Sequence, residues 1–197
     1  MKPGFAPSEF ILGGQRSGKS RRAEMLACQW LAADPAHQAV LIATGQAWDD
    51  EMRQRILRHQ QDRAERVPGM RTVEEPLHLA DALSRNAQAD TLVVVDCLTL
   101  WLTNLRMPPE PQHDAADEQV EHQHVADLLH AIGQAKGPVV LVGNEIGLGV
   151  IPMGSETRAF VDALGRLNQD VARVCRRVTL MSAGLPLTLK DTPCASS

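Results

Sequence analysis

Aromatic residues are scarce in this sequence, which contains no tyrosine, three phenylalanines and three tryptophans among 197 residues. Proteins that hold single-stranded nucleic acid stack its bases on aromatic side chains, so the composition disfavours that class. An excess of positive charge is also missing, because 20 Lys and Arg residues stand against 24 Asp and Glu residues, a formal net charge of -4. We therefore expect no nucleic-acid partner.

Paired cysteines and long apolar runs are absent as well. The four cysteines, Cys28, Cys97, Cys175 and Cys194, stand far apart without a Cys-x-x-Cys pair, so a disulfide framework or a zinc knuckle has little support. The N-terminus lacks the apolar stretch of a secretory signal, and no segment approaches the ~18 apolar residues of a membrane span. These features predict a cytoplasmic protein with reduced thiols and no membrane span.

Short apolar, β-branched segments alternate with segments of helical periodicity, an order that is typical of parallel sheets. We predict strands over 9–13, 39–44, 71–74, 91–96 and 139–143, and helices over 19–33, 50–66, 77–86, 115–135 and 156–175. The segments LVVVD and PVVLVGN are apolar at nearly every position, so helices should cover both faces of the sheet. Near the end, RVTLMSAGLPLTLK predicts an antiparallel hairpin that turns at Ala183-Gly184.

A phosphate-binding loop follows the first predicted strand. The segment Gly13-Gly14-Gln15-Arg16-Ser17-Gly18-Lys19-Ser20 fits G-x-x-x-x-G-K-[ST] and opens a predicted helix. Backbone N–H groups and the helix N-terminus would hold phosphate there, with Lys19 on the β and γ phosphates and the Ser20 hydroxyl on Mg²⁺. Arg16 could counter triphosphate charge or only pair with the first helical turn. We predict a mostly parallel P-loop α/β domain over 1–190 and a disordered tail over 191–197.

Other polar residues follow the predicted strands, where ligands of parallel sheets bind. They are Thr44, Gly45, Gln46, Glu74, Asp96, Asn144 and Glu145. Asp96 stands where the acidic partner of a P-loop orients Mg²⁺, although a helix N-cap is an alternative role. Either Glu74 or Asp96 could accept two hydrogen bonds from the N1-H and N2-H₂ edge of guanine, and the sequence leaves that choice open.

One histidine stands among arginines in the predicted helix 50–66. Met52, Ile56, His59 and Arg63 share one helical face. The surrounding arginines are Arg53, Arg55, Arg58, Arg63 and Arg66. A cationic environment disfavours protonation of an imidazole and so leaves a lone pair that could attack phosphorus. The alternative is a histidine with a structural role on a solvated helix.

Four segments in succession resemble one enzyme family: GGQRSGKSRRAE, LIATGQAWDDEMRQRILRHQQDR, VVDCLTLWLTN and VLVGNEIGLGVIP. From about residue 10 to 190 the chain is similar to the bifunctional adenosylcobinamide kinases/adenosylcobinamide-phosphate guanylyltransferases of cobalamin biosynthesis. This resemblance implies a RecA-like homotrimer that phosphorylates the aminopropanol hydroxyl of adenosylcobinamide with a nucleoside triphosphate, ATP or GTP. The product then receives GMP from GTP, and pyrophosphate is released.

The resemblance also implies the site residues. A GMP-histidine intermediate would form on His59, which follows Arg58 where relatives can carry a second histidine, and Lys19 would be the other catalytic residue. Nucleotide contacts are implied at Gly13, Gly14, Gln15, Arg16, Ser17, Gly18, Lys19, Ser20, Thr44, Gly45, Gln46, Gln60, Gln61, Asp62, Arg63, Glu74 and Asp96. Asp96 departs from the glutamate that relatives can carry, and Gln60-Gln61 replaces more basic residues. We expect the corrinoid to contact loops 97–107 and 144–154, which leave the same sheet edge.

Rival interpretations remain at this point. A plain P-loop kinase would use His59 only structurally and form no covalent nucleotide. A GTPase-type regulator is disfavoured because Gly143-Asn144-Glu145-Ile146 lacks the lysine and aspartate of an Asn-Lys-x-Asp motif. A RecA-like DNA motor is disfavoured by the negative charge and the scarcity of aromatic residues.

Overall fold

The structure is a computed structural model that describes residues 5–47, 49–107 and 116–192. Within these ranges the strands are β1 Ser8–Gly13, β2 Gln38–Ala43, β3 Arg71–Glu74, β4 Thr91–Asp96, β5 Val139–Asn144, β6 Arg177–Ser182 and β7 Leu185–Asp191. The helices are α1 Lys19–Ala33, α2 Asp50–Arg66, α3 Leu79–Asn86, α4 Leu98–Arg106, α5 Ala116–Gln134 and α6 Ser155–Val174. No helix in the described ranges is long and apolar enough to cross a membrane.

The strands form one sheet in the order β3-β2-β4-β5-β1-β6-β7. Every neighbouring pair is parallel except β6 and β7, which pair in antiparallel fashion at the edge. The turn between β6 and β7 places Ala183 at φ 51° and Gly184 at φ 80°. Two left-handed residues in succession match the twist of the flanking strands, so this is the two-residue turn that the sequence predicts. The mostly parallel α/β sheet and the C-terminal hairpin are confirmed.

Helices cover both faces of the sheet, as the continuous apolar strands predict. In β5, Val139 and Leu141 belong to one buried cluster, and Val140 and Val142 belong to the other. Helices α3, α4, α5 and α6 pack on the first face, and α1 packs on the second. The carboxyl ends of β1 to β5 therefore meet at one edge between two layers of helix, where a ligand site can form.

Helix α4 was not predicted, and the expectation that 97–107 forms a loop is wrong. Leu98, Trp101 and Leu102 are buried, and the Trp101 indole N–H donates to the carbonyl of Leu77 at 2.9 Å. Leu98, Trp101, Leu102 and Leu105 share one helical face, so the periodicity is present, but it extends over only 9 residues and the prediction missed it. The side chains of Leu98, Trp101 and Leu102 pack into the core and are not free to contact a substrate, whereas Leu100 of the same helix is only partly buried.

The other differences concern helix and strand ends. The helix predicted over 77–86 begins at Leu79, and the helix predicted over 156–175 runs over Ser155–Val174. Strand β7 continues through Asp191, so the disordered tail predicted over 191–197 is wrong at Asp191, and residues 193–197 lie outside the described residues. The bounds of α1 and α2 agree with those predicted.

Candidate active site at the carboxyl edge of the sheet

A cavity of about 820 Å³ opens at the carboxyl edge, between the β1–α1 loop and α2. It brings together many of the predicted residues: Gln15, Arg16, Ser17, Gly18, Lys19, Ser20, Gly45, Gln60, Asp62, Arg63, Glu74 and Asp96. Five others do not line it, namely Gly13, Gly14, Thr44, Gln46 and Gln61. The lining also includes the cations Arg21, Arg58 and Arg66, and carboxylates line it too: Glu24, Glu51, Asp62, Glu74 and Asp96. Positive charge on the phosphate loop, from Arg16 and Lys19, suits a ligand with negatively charged groups.

Two glycines shape the backbone of the β1–α1 loop. Gly13 has φ 153°, and a Cβ there would lie 2.5 Å from both the Met181 carbonyl oxygen and Ser17 Oγ. Gly18 has φ 100° and is the N-cap of α1. A side chain at either position would be strained, so the spacing of these glycines in the motif fixes the curve of the loop.

Lys19 is buried in the first turn of α1, and its Nζ donates to the Gly14 carbonyl at 2.6 Å. Burial lowers the pKa of Lys19, while the nearby Cys97 and Asp96 act in the opposite direction. Ser17 Oγ is also buried and has no hydrogen-bond partner in the described part of the chain. A desolvated ammonium and an unpaired hydroxyl in one loop indicate a place for an anion with oxygen acceptors.

Backbone hydrogen bonds close the loop on itself and hold it against two other parts of the fold. Ser17 N–H donates to the Gly14 carbonyl at 3.3 Å, which closes a turn within the loop. Glu145 N–H, just after β5, donates to the Gly13 carbonyl at 3.1 Å, and Gly184 N–H, in the β6–β7 turn, donates to the Ser17 carbonyl at 3.0 Å. These backbone hydrogen bonds fix the curve of the cradle.

Ser20 and Asp96 line the same cavity from α1 and β4. Asp96 does not cap a helix, because the N-cap of α4 is Cys97, so the alternative role of Asp96 is wrong. A hydroxyl and a carboxylate oxygen are donors that suit Mg²⁺. No group of three or more His, Cys, Asp and Glu side chains able to hold a metal occurs in the described ranges, so the remaining ligands would come from nucleotide and water.

Thr44 was predicted to contact the nucleotide, but it does not line the cavity. Its side chain is fully buried, and its hydroxyl donates to the Cys97 carbonyl at 2.7 Å and accepts from Cys97 N–H at 2.9 Å. Asn104, buried in α4, donates to the carbonyls of Thr44 at 2.7 Å and Pro76 at 3.1 Å. Thr44 and Asn104 therefore tie together the loops that follow β2, β3 and β4.

The opposite wall of the cavity is α2. Its first turn is capped by Asp49, whose carboxylate accepts from Met52 N–H at 2.7 Å. Cavity-lining positions on α2 include Met52, Ile56, Arg63 and Arg66. At about 100° per residue, the position of His59 falls within the arc that these four define. The backbone of His59 lies in this helix, and its side chain is outside the described part of the structure.

Polar contacts attach α2 to the rest of the molecule. Arg66 pairs with Glu24 of α1 at 3.2 Å, and the Arg66 carbonyl accepts from Cys28 Sγ at 3.1 Å. On the other side, Gln60 Nε2 donates to Glu74 Oε1 at 3.4 Å, a long hydrogen bond. Glu24 and Arg66 both line the cavity and were not predicted as site residues.

The two candidate carboxylates occupy different parts of the cavity. Asp96 lies near Lys19, whose pKa it tends to raise, and is therefore on the phosphate side. Glu74 is an exposed residue at the end of β3 and contacts Gln60 of α2. The sequence alone could not separate them, because both simply end a strand.

Comparison with known proteins places the chain among cobalamin enzymes. Residues 9–189 match the sequence profile of the family described as cobinamide kinase / cobinamide phosphate guanyltransferase. The bifunctional adenosylcobalamin biosynthesis protein CobP of Pseudomonas aeruginosa is 46% identical over 185 residues, 94% of this chain and 98% of that protein. The Escherichia coli protein CobU, with the same descriptive name, is 35% identical over 186 residues, 91% of this chain and 98% of its own.

A solved structure shares the fold. The flagellar accessory protein FlaH of Methanocaldococcus jannaschii superposes with a TM-score of 0.51, over 95% of this chain and 80% of that one. Sequence identity is 11%, so the likeness concerns the fold alone. It agrees with the predicted fold, a mostly parallel α/β sheet covered by helices.

Proposed function

Since the chain belongs to the cobinamide kinase / cobinamide phosphate guanyltransferase family, we propose that one cavity carries out both of its reactions on adenosylcobinamide. The chain is a bifunctional transferase of adenosylcobalamin biosynthesis. The observation that carries the proposal is the pairing of two walls across the cavity: the phosphate loop with buried Lys19 on one side, and the helix that contains His59 on the other.

In the kinase step, the aminopropanol hydroxyl attacks the γ-phosphorus of ATP or GTP, and the nucleoside diphosphate leaves. Lys19 would neutralise charge on the β and γ phosphates, and its attachment to Gly14 holds the ammonium in the loop. The Ser17 hydroxyl, which has no partner within the described residues, is free to donate to a phosphate oxygen. Arg16 also lines the cavity, which favours the role of countering triphosphate charge.

A bound magnesium ion would be held by the Ser20 hydroxyl, with Asp96 directly or through water, and would neutralise phosphate charge. The donor set in the cavity fits this ion, since both side chains offer oxygen and line the same space as Lys19. Asp96 would thus act on the phosphate side.

In the guanylyl step, His59 would attack the α-phosphorus of GTP, with pyrophosphate as leaving group. The phosphate of adenosylcobinamide phosphate then attacks the same phosphorus, the bond to the imidazole breaks, and adenosylcobinamide-GDP is formed. Arg63, one turn after His59 on α2, and Arg66 would compensate the charge of the transferred phosphate. This step requires the position of His59 to face the loop, which the helix periodicity supports.

Guanine recognition is assigned to Glu74 in this proposal. Its carboxylate is exposed at the end of β3, away from Lys19, and could accept from the N1-H and N2-H₂ groups of the base. Gln60 already donates to Glu74, so an incoming guanine would exchange a long hydrogen bond of 3.4 Å for two of its own.

The decisive experiment is labelling with α-³²P-GTP in the absence of corrinoid. The parent protein should acquire label that is stable in base and released by acid, as expected of a phosphoramidate. His59→Asn should acquire none, whereas the matched control His122→Asn, at an exposed position on α5, should label like the parent. Equal labelling of His59→Asn and the parent would exclude His59 as the nucleophile.

We further propose a homotrimer located in the cytoplasm. Free thiols at Cys28, Cys97 and Cys175 are compatible with a reducing compartment. Strand β7 exposes Leu185, Leu187 and Leu189 at the sheet edge, and an uncovered apolar edge strand is a liability that a second copy would remove. Light scattering after gel filtration would test the mass, and a monomer at assay concentration would contradict the proposal.

A further inference from the structure

The segment between β5 and α6 exposes an unusual amount of apolar surface. Leu148 is 82% exposed, Val150 95%, Ile151 77% and Met153 95%, and Ile146 is exposed as well. We call residues 146–153 the apolar loop. Between Glu145 and Glu156 the sequence contains no charged residue. Contiguous apolar surface of this kind marks an interaction site rather than ordinary scatter.

The exposure does not come from an unsupported backbone. At the start of the apolar loop, Gly147 N–H donates to Glu145 Oε1 at 2.8 Å. At its end, Arg158 Nη1 donates to the carbonyls of Pro152 at 3.0 Å and Met153 at 2.6 Å. The backbone is thus held at both ends while the side chains between them face outward.

The apolar loop is continuous with the candidate active site. Asn144, the last residue of β5, lines the cavity, and Glu145 N–H is bonded to the carbonyl of Gly13 at 3.1 Å. The side chains of the apolar loop therefore begin immediately beside the phosphate cradle. They stand outside the cavity, next to β1, the strand that leads into the phosphate loop.

Charge separates the cavity from the apolar loop. The cavity is lined by Lys19 and by several arginines, among them Arg16 and Arg63, and so it suits the triphosphate. The other substrate is a large corrinoid, whose reactive hydroxyl is carried on a short aminopropanol arm. A cavity of about 820 Å³ that holds a nucleotide has room for the arm rather than for the macrocycle, so the ring needs a surface outside it.

Resting on the proposed function, we propose that the apolar loop is the docking surface for the corrin macrocycle. The ring covers Leu148, Val150, Ile151 and Met153. Its aminopropanol arm extends past Asn144 toward the γ-phosphate of the nucleotide, which Lys19 contacts. Docking there would bring the hydroxyl to the γ-phosphate in the kinase step. It would place the phosphate made in that step near the same edge for the guanylyl step.

The test compares the double variant Val150→Ser/Met153→Ser with the control Val120→Ser, which changes an exposed valine on α5. We measure the KM for adenosylcobinamide, the KM for GTP, corrinoid-free labelling by α-³²P-GTP and the mass in solution. The double variant should raise the KM for adenosylcobinamide roughly ten- to hundredfold, with the KM for GTP and the labelling unchanged. The control should match the parent in all four.

Two results would overturn the docking proposal. The first is an unchanged KM for adenosylcobinamide in the double variant. The second is a raised KM that comes with a changed mass in solution, which would assign the apolar loop to contacts between copies of the chain. Failure of the proposed function is distinguishable, because a parent protein that neither takes label from GTP nor phosphorylates adenosylcobinamide fails before the variants are compared.

Discussion

The two walls of the cavity are constructed differently. In α1, behind the phosphate loop, Ala23, Ala27 and Trp30 are buried, and the loop itself is bonded to β5 and to the β6–β7 turn. In α2, no described side chain is buried, and the attachments to α1 and β3 are polar contacts of Arg66 and Gln60. One wall is thus positioned by packing, and the other by a few hydrogen bonds and ion pairs.

This difference corresponds to a division of chemical tasks. A phosphate cradle is effective when its donors are fixed before the ligand arrives, because no reorganisation is then needed during the reaction. A helix that delivers a nucleophile to the α-phosphorus and then presents the adduct to a second substrate benefits from weaker attachment. Local stability of this kind follows the number of buried apolar contacts, which is small for α2.

The largest effect should come from the packed wall at Lys19. Lys19→Met should lower turnover in both reactions by roughly 100- to 1000-fold, because it removes a fixed cation from the phosphate site. The melting temperature should not fall, since burial of Lys19 opposes its ammonium form and lowers its pKa. Assays of each reaction, with exposed Lys136→Met as control, check this. Comparable turnover in the two variants would refute the role of Lys19.

A second prediction concerns the loop backbone. Gly13→Ala should lower the free energy of unfolding by about 3 kcal/mol and abolish nucleotide binding, because its Cβ would meet the Met181 carbonyl at 2.5 Å. Gly14→Ala is the matched control, since a Cβ there has nothing within 4 Å. Urea denaturation and GTP titration measure the two effects. If the two variants had the same stability and the same affinity for GTP, the cradle would not depend on the close contact between Gly13 and Met181 of β6.

A third substitution tests the tie between β2 and β4. Thr44→Val should destabilise the protein by about 2 kcal/mol, because the buried N–H and carbonyl of Cys97 both lose the Thr44 hydroxyl. Thr103→Val loses only a bond to the Thr99 carbonyl in the same helix and should cost less. Chemical denaturation compares them. Equal losses would show that the Thr44 hydroxyl has no special importance.

The smallest effect is expected at the attachment of α2. Glu24→Gln weakens the ion pair with Arg66 and should leave the melting temperature nearly unchanged, because the arginine is half exposed. Amide exchange in α2 should accelerate by a factor of a few, while exchange in α1 stays as in the parent. Hydrogen exchange with mass spectrometry measures both helices in one experiment. If amide exchange in α1 accelerated by the same factor, the two walls would open together, and the difference in their attachment would be refuted.

The sequence predicts the packed wall well because its information is local. Gly13, Gly18 and Lys19 lie within seven consecutive residues, and each backbone requirement corresponds to one residue type. The start of α2 could also be predicted from the sequence, because an aspartate, Asp49, precedes the helix and caps its first turn. The nucleotide contacts and the nucleophile remain predictions, supported by the residues that the cavity brings together.

The contacts that escaped prediction join distant parts of the chain. Thr44 and Cys97 are 53 positions apart, and Asn104 reaches the carbonyl of Thr44 across 60. Asn104 also lies in α4, a helix of 9 residues that was not predicted. A polar residue that acts on a backbone carbonyl of another element leaves no spacing signal, so only the folded structure reveals it.

The hydrogen bond from Gly184 to the Ser17 carbonyl connects the outermost hairpin to the phosphate loop. Any molecule that binds β7 and shifts this turn must alter the affinity for nucleotide. By thermodynamic linkage, nucleotide must then alter the affinity of that molecule by the same factor. If copies of the chain assemble through this edge of the sheet, assembly and nucleotide binding would then each change the affinity of the other.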